Sequence, residues 1–173
     1  MSENPFDQLE DFVLDNNLSE LSRAIDSERE IVNWTDPIGR TLLWHAARSG
    51  NMEACRLLLL GGADINHSNR SGESALSSAV GKANLHLIQY LLDADADPNI
   101  GRPAVSAVNR RDEHTVPILR LLIEHGLNVN QSFAMFGDDS KRRTVLDFAG
   151  DGPAADFLRT HGAKTQAELD AAT

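Results

Sequence analysis

Apolar residues cluster in four short stretches along the chain, and a similar polar phrase follows each stretch. The stretches are Leu57–Leu60, Leu87–Leu92, Ile118–Ile123 and Phe157–Leu158. The phrases after them read GGADIN from Gly61, DADPN from Asp95, GLNVN from Gly126 and GAK from Gly162. Leucine-rich stretches that stop at glycine or asparagine are typical of helices and their ends. The pattern therefore predicts a helix followed by a chain reversal, repeated along the sequence.

The asparagine that closes these phrases sets a period. Two successive units are each 33 residues long, and the next has 31. Units repeated at this period form stacked arrays, in which each unit buries its apolar face only against its neighbours. We expect residues 1–173 to form one domain, made of an N-terminal cap 5–33, units 34–66, 67–99 and 100–130, a C-terminal cap 131–165 and a tail 166–173.

The second unit shows how each repeat is expected to fold. A turn at Asp36–Gly39 precedes a short helix from Thr41, and Gly50–Asn51 separates it from a longer helix that ends at Leu60. The Thr41 hydroxyl can cap its helix by accepting a backbone N–H bond. Gly62 can take the left-handed conformation that ends a helix. The unit is therefore predicted to be two helices with a turn between successive units.

The four segments that open the short helices carry a family resemblance. They are Thr41–Ala47, Ser74–Val80, Arg102–Ala107 and Thr144–Ala149. With the G-A-D-x-N phrases, they resemble the T-P-L-H-x-A-A motif of the ankyrin repeat family over residues 5–165. This resemblance implies an all-α solenoid of stacked helix-turn-helix units with β-hairpin-like finger loops, and it implies that the protein binds another protein.

The chain departs from the motif at the histidine that usually braces the turn. Trp44, Ser77, Val105 and Asp147 occupy that position. We therefore expect the hydrogen bonding of the turns to be weakened in every unit. Asp95 also replaces a terminating glycine, and aspartate tolerates the left-handed conformation better than most residues do.

The period breaks at two fingers. Only Ile100 and Gly101 separate Asn99 from the next short helix, where the preceding units have seven residues, and three extra residues lie near 109–115. The last finger is lengthened instead to 13 residues, 131–143. Because insertions in repeat arrays fall on loops and often on the binding side, these breaks indicate where a partner binds.

The resemblance also places the partner on a concave face, made of finger tips and the exposed sides of the short helices. The predicted partner-binding residues are Ile38, Arg40, Trp44, Arg48, Arg70, Ser71, Glu73, Lys82, Arg110, Arg111, Phe133, Met135, Phe136, Arg142 and Arg143. Most of their charges are basic, which predicts a partner with an acidic patch. Trp44 has the alternative role of filling space left by the missing histidines. The apolar cluster Phe133, Met135 and Phe136 either folds back onto the last helix pair or waits exposed for the partner.

Charge and composition narrow the function classes. The net charge is -10, and residues 1–33 contribute nine acidic side chains against two arginines. This charge disfavours nucleic-acid binding.

The first thirty residues are rich in charge, and no apolar run is long enough for a membrane span. A single cysteine, Cys55, suits a reducing compartment. We therefore expect a cytoplasmic protein that is monomeric when free.

Sequence motifs for chemistry are weak. Asp93, Asp95 and Asp97 imitate the start of a calcium loop, but Ala104 stands where its last carboxylate ligand is needed. The six histidines form no H-x-x-x-H pair. An enzyme that uses Asp138 or Asp139 beside Lys141 is the least favoured hypothesis. We expect no enzyme activity, no cofactor and no metal.

Two binding functions remain. In the first, the protein covers the active site of an enzyme or toxin, as an inhibitor or immunity protein does, or acts as an adaptor. In the second, it is an adaptor or scaffold whose acidic N-terminal unit binds a basic partner, with Asp7, Asp11 and Asp15 on successive helical turns.

Overall fold

The computed structural model describes residues 5–135 and 138–172. Its helices pair into units as the period predicts. The inner helices are α1 (Pro5–Leu14), α3 (Leu42–Ser49), α5 (Ala75–Gly81), α7 (Pro103–Arg110) and α9 (Val145–Ala149). The outer helices are α2 (Leu18–Ser27), α4 (Met52–Leu60), α6 (Leu85–Asp93), α8 (Thr115–Glu124) and α10 (Pro153–Thr160). A 3-10 helix, Arg29–Asn33, follows α2.

The inner helices form one layer and the outer helices a second. Each inner helix packs on the next one, from α1 to α9, and α2 packs on α4, α6 on α8 and α8 on α10. The core lies between the layers, where Leu43, Leu76 and Leu146 of the inner helices and Leu58 and Leu119 of the outer helices are buried. This architecture confirms the all-α solenoid expected from the resemblance.

Small residues and hydroxyl caps shape the inner helices. Ala46, Ala47, Ala79 and Ala107 are fully buried, which lets neighbouring helices approach closely. Thr41 caps α3 as predicted, because its Oγ1 accepts the N–H of Trp44 at 3.2 Å.

The recurring asparagines join successive units. Asn66 Oδ1 accepts the N–H of Asp97 at 2.8 Å, and Asn130 Oδ1 accepts the N–H of Lys164 at 2.8 Å. The side-chain amide of Asn130 also donates to the carbonyl of Gly162 at 3.0 Å. Asn33 and Asn99 make the same pair of bonds to the units that follow them. The asparagine recurs because its amide ties the end of one unit to the end of the next.

Left-handed residues end several helices as predicted. Gly62 has φ +97° and Asp95 has φ +66°. Two arginines, Arg102 and Arg111, take the same conformation at the two ends of α7, with φ +56° and +54°.

The expectation of weakened turns in every unit is wrong for two of them. Ser77 Oγ accepts the N–H of Ser74 at 2.9 Å, and Asp147 Oδ2 accepts the N–H of Thr144 at 2.8 Å. Asp147 also accepts the N–H of Gln166 at 2.9 Å. A hydroxyl and a carboxylate at the histidine position therefore brace the turn in its place.

The two irregular fingers differ in form. In the last finger, β1 (Phe133–Met135) pairs antiparallel with β2 (Asp138–Arg143), with an irregularity between Ala134 and Met135, and we call this pair of strands the hairpin. Where only Ile100 and Gly101 remain, the chain turns directly into α7. The segment expected to be a tail contains a short helix, α11 (Gln166–Asp170).

Candidate functional site

Two arginines lie on the ring of Trp44. The three side chains are four residues apart along α3 and the turn before it, so they share one face of the helix. The Cζ atoms of Arg40 and Arg48 lie 4.9 and 5.8 Å from the ring centroid of Trp44. Trp44 itself is only 8% exposed. The buried indole therefore packs beneath two guanidinium groups. This position corresponds to the alternative role of Trp44, in which it fills space.

Arg40 is also held from the side. Its Nε donates to Asp36 Oδ2 at 2.5 Å, and Asp36 Oδ1 accepts the N–H groups of Ile38 and Arg40 at 3.0 and 2.9 Å. Burial alone would raise the pKa of Asp36, but the hydrogen bonds from Arg40 and Ile38 lower this pKa below its ordinary value. The first finger is thus closed around an ionised carboxylate.

In the second finger the donor and acceptor roles are reversed. An amide, Asn69, replaces Asp36, and a carboxylate, Glu73, replaces Arg40. Asn69 Oδ1 accepts the N–H groups of Ser71 and Glu73 at 2.9 and 3.0 Å, as Asp36 does in the first finger. The Asn69 amide then donates to Glu73 Oε2 at 2.9 Å. Glu73, the one acidic residue among the predicted partner-binding residues, therefore completes its own turn.

His45 lies beneath this face and links it to the first helix. Its Nδ1 lies 2.8 Å from Glu10 Oε1 and its Nε2 lies 3.5 Å from Asp36 Oδ2. The rings of Phe6 and Trp44 contact it edge-on at 5.8 and 5.0 Å. Burial lowers the pKa of His45, and together with Arg40 it outweighs the two carboxylates. A neutral imidazole therefore joins the N-terminal cap to the first finger.

The remaining predicted residues of the short helices and finger tips divide by exposure. Arg48, Arg70, Ser71, Glu73, Lys82 and Arg111 are exposed, and Ile38 at the first finger tip is 49% exposed. Arg110 differs from them. It donates to the Gly81 carbonyl at 2.7 Å and pairs with Asp112 at 2.5 Å, so it binds α7 to the unit before it.

The aromatic side chain of Phe133 in β1 is buried. Phe133 is 8% exposed and lies beneath Arg102, whose Cζ is 5.7 Å from the ring centroid. Phe133 is therefore not exposed for a partner, and its ring lies against Arg102 at the start of α7. Phe136 and the side chain of Met135 lie outside the described residues.

Arginines surround the hairpin. Arg142 Nη2 donates to the Ser132 carbonyl at 2.8 Å, and Arg143 lies 5.9 Å from the ring centroid of Phe148. Arg102 was not among the predicted site residues. Its place at the shortened finger was the signal that could have identified it.

Of the two carboxylates proposed for catalysis, Asp138 has an ordinary environment, and the side chain of Asp139 lies outside the described residues. Asp138 pairs with Lys141 at 3.3 Å on the surface. Hydrogen bonds from Ser140 lower the pKa of Asp138, which makes it a weaker base. A surface cleft of about 620 Å³ lies elsewhere, between the loop at Arg111–Glu113 and the loop at Gly150–Pro153. Its charged residues have both signs.

Within the part of the chain that the structure describes, the helices are all too short or too polar to cross a membrane.

Comparisons with known proteins agree with this architecture. The family model for ankyrin repeats in three copies matches residues 12–102. The ankyrin repeat domain-containing protein 13B of Mus musculus is 38% identical over 73 residues, which cover 42% of this chain and 12% of that protein. The mitochondrial disaggregase of Bos taurus is 30% identical over 156 residues, which cover 72% of this chain and 23% of that protein.

The fold also matches a solved structure. The human ASB11 ankyrin repeat domain superimposes with a TM-score of 0.70 at 20% identity, and the match covers 94% of this chain and 71% of that one. The chain spans less than a quarter of the length of either of the two relatives above.

Proposed function

The chain belongs to the ankyrin repeat family, whose repeats are protein–protein interaction modules, and we propose that it binds an acidic patch of a partner protein through its concave face. The arrangement of Arg40, Trp44 and Arg48 carries this proposal. A guanidinium that already lies on an aromatic ring loses less conformational freedom on binding than one in open solvent does. Arg48 is such a group and is prepared to bind a carboxylate, whereas Arg40 is already paired with Asp36.

The basic residues along the fingers extend this site. Arg70 and Lys82 are exposed one unit further along, and Arg142 and Arg143 lie on the hairpin. Complementary charges speed association and fix the orientation of two proteins. The exposed Ile38 adds apolar contact at the first finger tip.

A protein that binds its partner through one such surface can inhibit the partner by covering its active site. We propose that the protein covers the active site of an enzyme or toxin, as an inhibitor or immunity protein does. It would act in the cytoplasm, monomeric when free.

Affinity capture from the native host tests this function. Wild-type protein and the Arg48→Glu variant are used in parallel, each at about 50 mM and 500 mM salt. We expect one protein to be enriched by the wild type at low salt only, and to be lost with Arg48→Glu. Equal recovery by the two proteins would refute the role of the concave face.

A second function rests on the acidic first unit. Helix α1 buries Phe6, Leu9 and Val13, so that Asp7 and Asp11 are exposed on its opposite side. An adaptor that binds a basic partner there would lose this partner on reversal of both charges, Asp7→Lys with Asp11→Lys. This variant is preferable to deletion of the helix, because α1 packs directly on α3.

A further inference from the structure

The loops that join each inner helix to its outer helix lie at the far end of the inner helices from the fingers, and the first four loops contact each other in turn. The Asn51 amide of the second loop donates to Asn16 Oδ1 of the first at 2.9 Å. A β-carbon on Gly50 would lie 3.4 Å from the side-chain amide of the asparagine that caps α6, in the third loop. Arg110, at the start of the fourth loop, donates to the Gly81 carbonyl at 2.7 Å.

The fourth and fifth loops are separated by open space. The cleft of about 620 Å³ lies between them, with residues 111–113 on one wall and Gly150–Pro153 on the other. On the second wall, β-carbons on Gly150 and Gly152 would meet open space. Clefts of roughly 300–1,000 Å³ are the usual size of binding sites for small groups. We call this space the loop cleft, and it is large enough to receive a side chain of another molecule.

The first wall of the loop cleft is held in place by its own hydrogen bonds. Asp112 Oδ1 accepts the N–H of His114 at 3.1 Å, and the N–H of Asp112 donates to Thr115 Oγ1 at 3.2 Å. These bonds fold the extra residues of the fourth unit into a defined loop. Glu113 lies between the bonded residues, so the loop carries its carboxylate at the edge of the loop cleft.

The floor of the loop cleft is apolar. Val108 of α7 and Val116 of α8 line it, together with Ala149 of α9 and Ala154 of α10. Val108 is buried, and the other three residues are half-buried. A hydrocarbon group that lies on this floor is removed from water together with the apolar surface that it covers, which favours its binding.

Carboxylates outnumber bases around the loop cleft. Asp112 and Glu113 lie on one wall and Asp151 on the other, and Arg111 is the one base among the described residues that line it. Asp112 already pairs with Arg110 at 2.5 Å. The side chains of Glu113 and Asp151 are exposed, and neither has a hydrogen bond or an ion pair within the described part of the chain. One available carboxylate on each wall favours a cationic group between them.

We propose that the loop cleft binds an arginine side chain from a basic segment of a partner protein, with the aliphatic stem on the apolar floor and the guanidinium between Glu113 and Asp151. Arginine has both parts, because its methylene stem packs on apolar surface and its planar head binds carboxylates. This site goes beyond the concave-face function, since it lies at the other end of the inner helices and selects the opposite charge. It also gives the extra residues of the fourth unit a role, because they place Glu113 opposite Asp151.

The test uses two peptides and a matched pair of double variants. The probe is acetyl-Ala-Leu-Arg-Leu-Ala-amide, and its counterpart carries citrulline, which has the shape of arginine without the charge. Binding is followed by NMR titration of the backbone amides at about 50 mM salt. Glu113→Gln with Asp151→Asn removes both carboxylates and keeps their size. The control, Glu53→Gln with Glu124→Gln, removes two exposed carboxylates from the outer helices α4 and α8, outside the loop cleft.

We expect the arginine peptide to shift the amide resonances of Val116, Ala149 and Ala154 in the wild type, and the citrulline peptide to bind about 5-fold more weakly or less. Glu113→Gln with Asp151→Asn should weaken the arginine peptide by about 5-fold or more, and the control variant should bind as the wild type does. The amide spectra also show that the variants are folded. Equal binding by the two double variants, equal binding of the two peptides, or no binding by the wild type overturns the loop cleft and leaves the concave-face function as it stands.

Discussion

Asn99 binds the backbone of Asn128, whose N–H donates to Asn99 Oδ1 at 2.7 Å across the boundary between the third and fourth units. The Asn99 amide donates to the Gly126 carbonyl at 3.1 Å in the same phrase. Both bonds end at the reversal that closes the fourth unit. One side chain thus fixes how one unit is stacked on the next.

Replacing Asn99 by alanine should destabilise the array. The variant Asn99→Ala leaves the Asn128 N–H and the Gly126 carbonyl without their partner, and each lost bond costs about 0.5–1.5 kcal/mol. We expect the free energy of unfolding to fall by about 1–3 kcal/mol in urea denaturation. Asn109→Ala, at an exposed position near the end of α7, is the control and should change it by less than about 0.5 kcal/mol. Equal losses of unfolding free energy in Asn99→Ala and Asn109→Ala would contradict the role of Asn99 in stacking the units.

Gly101 should tolerate no side chain. Gly101→Ala places a β-carbon against Ser74 and adds left-handed strain at φ +78°. Gly126 has a similar φ of +92°, but its β-carbon would meet open space. We expect Gly126→Ala to cost about 1–2 kcal/mol from strain alone, and Gly101→Ala to cost at least about 2 kcal/mol more. Similar midpoints for the two variants in urea would show that the close approach to Ser74 is not maintained in solution.

The sequence was sufficient for elements that depend on local chemistry. The period, the Thr41 cap and the left-handed Gly62 follow from residues within one unit, and the structure confirms them. Contacts between units were not predictable in this way. The bonds of Asn66 to Asp97 and of Arg110 to Gly81 join residues about thirty positions apart, so they depend on how the units stack.

The candidate site was likewise predictable only where it depends on residues within one unit. An alignment of repeats placed Trp44 and Arg48 on the short helix and Arg40 just before it, but it could not show that the indole lies beneath both guanidinium groups. It also could not show that the ring of Phe133 lies under Arg102, since this contact joins residues of two different units. Side-chain packing across units decides which residues of the motif remain available to a partner.

Stability should fall on mild acidification because of His45. The pKa of His45 in the folded protein lies below the ordinary value of 6.5. Below pH 6.5, His45 is therefore protonated more readily in the unfolded chain than in the folded protein. The stability that the neutral ring contributes is present above this pH and is lost as the pH falls. We expect the urea midpoint to decrease between pH 7.5 and 5.5, and to decrease less in His45→Gln. A midpoint that rises over this range in the wild type would show that Glu10 and Asp36 outweigh burial.

Cys55 should be inert in the native protein. Burial raises the pKa of its thiol to about 12, so that at pH 8 only about one molecule in ten thousand carries the reactive thiolate. We expect no reaction with Ellman's reagent within minutes at pH 8, and one equivalent of thiol released to the reagent in denaturant. Rapid reaction without denaturant would mean that α4 opens readily.

The most direct test of the binding account compares two arginines of the same unit. Arg48 lies on α3 beside Trp44, and Arg56 lies on the outer helix α4, where it is also exposed. The measurement is the dissociation constant of the captured partner, by surface plasmon resonance, for wild type, Arg48→Glu and Arg56→Glu. The account predicts a loss of about 10-fold or more for Arg48→Glu, because a carboxylate there repels an acidic partner, and no change for Arg56→Glu. Unchanged affinity of Arg48→Glu, or an equal loss in both variants, would contradict it.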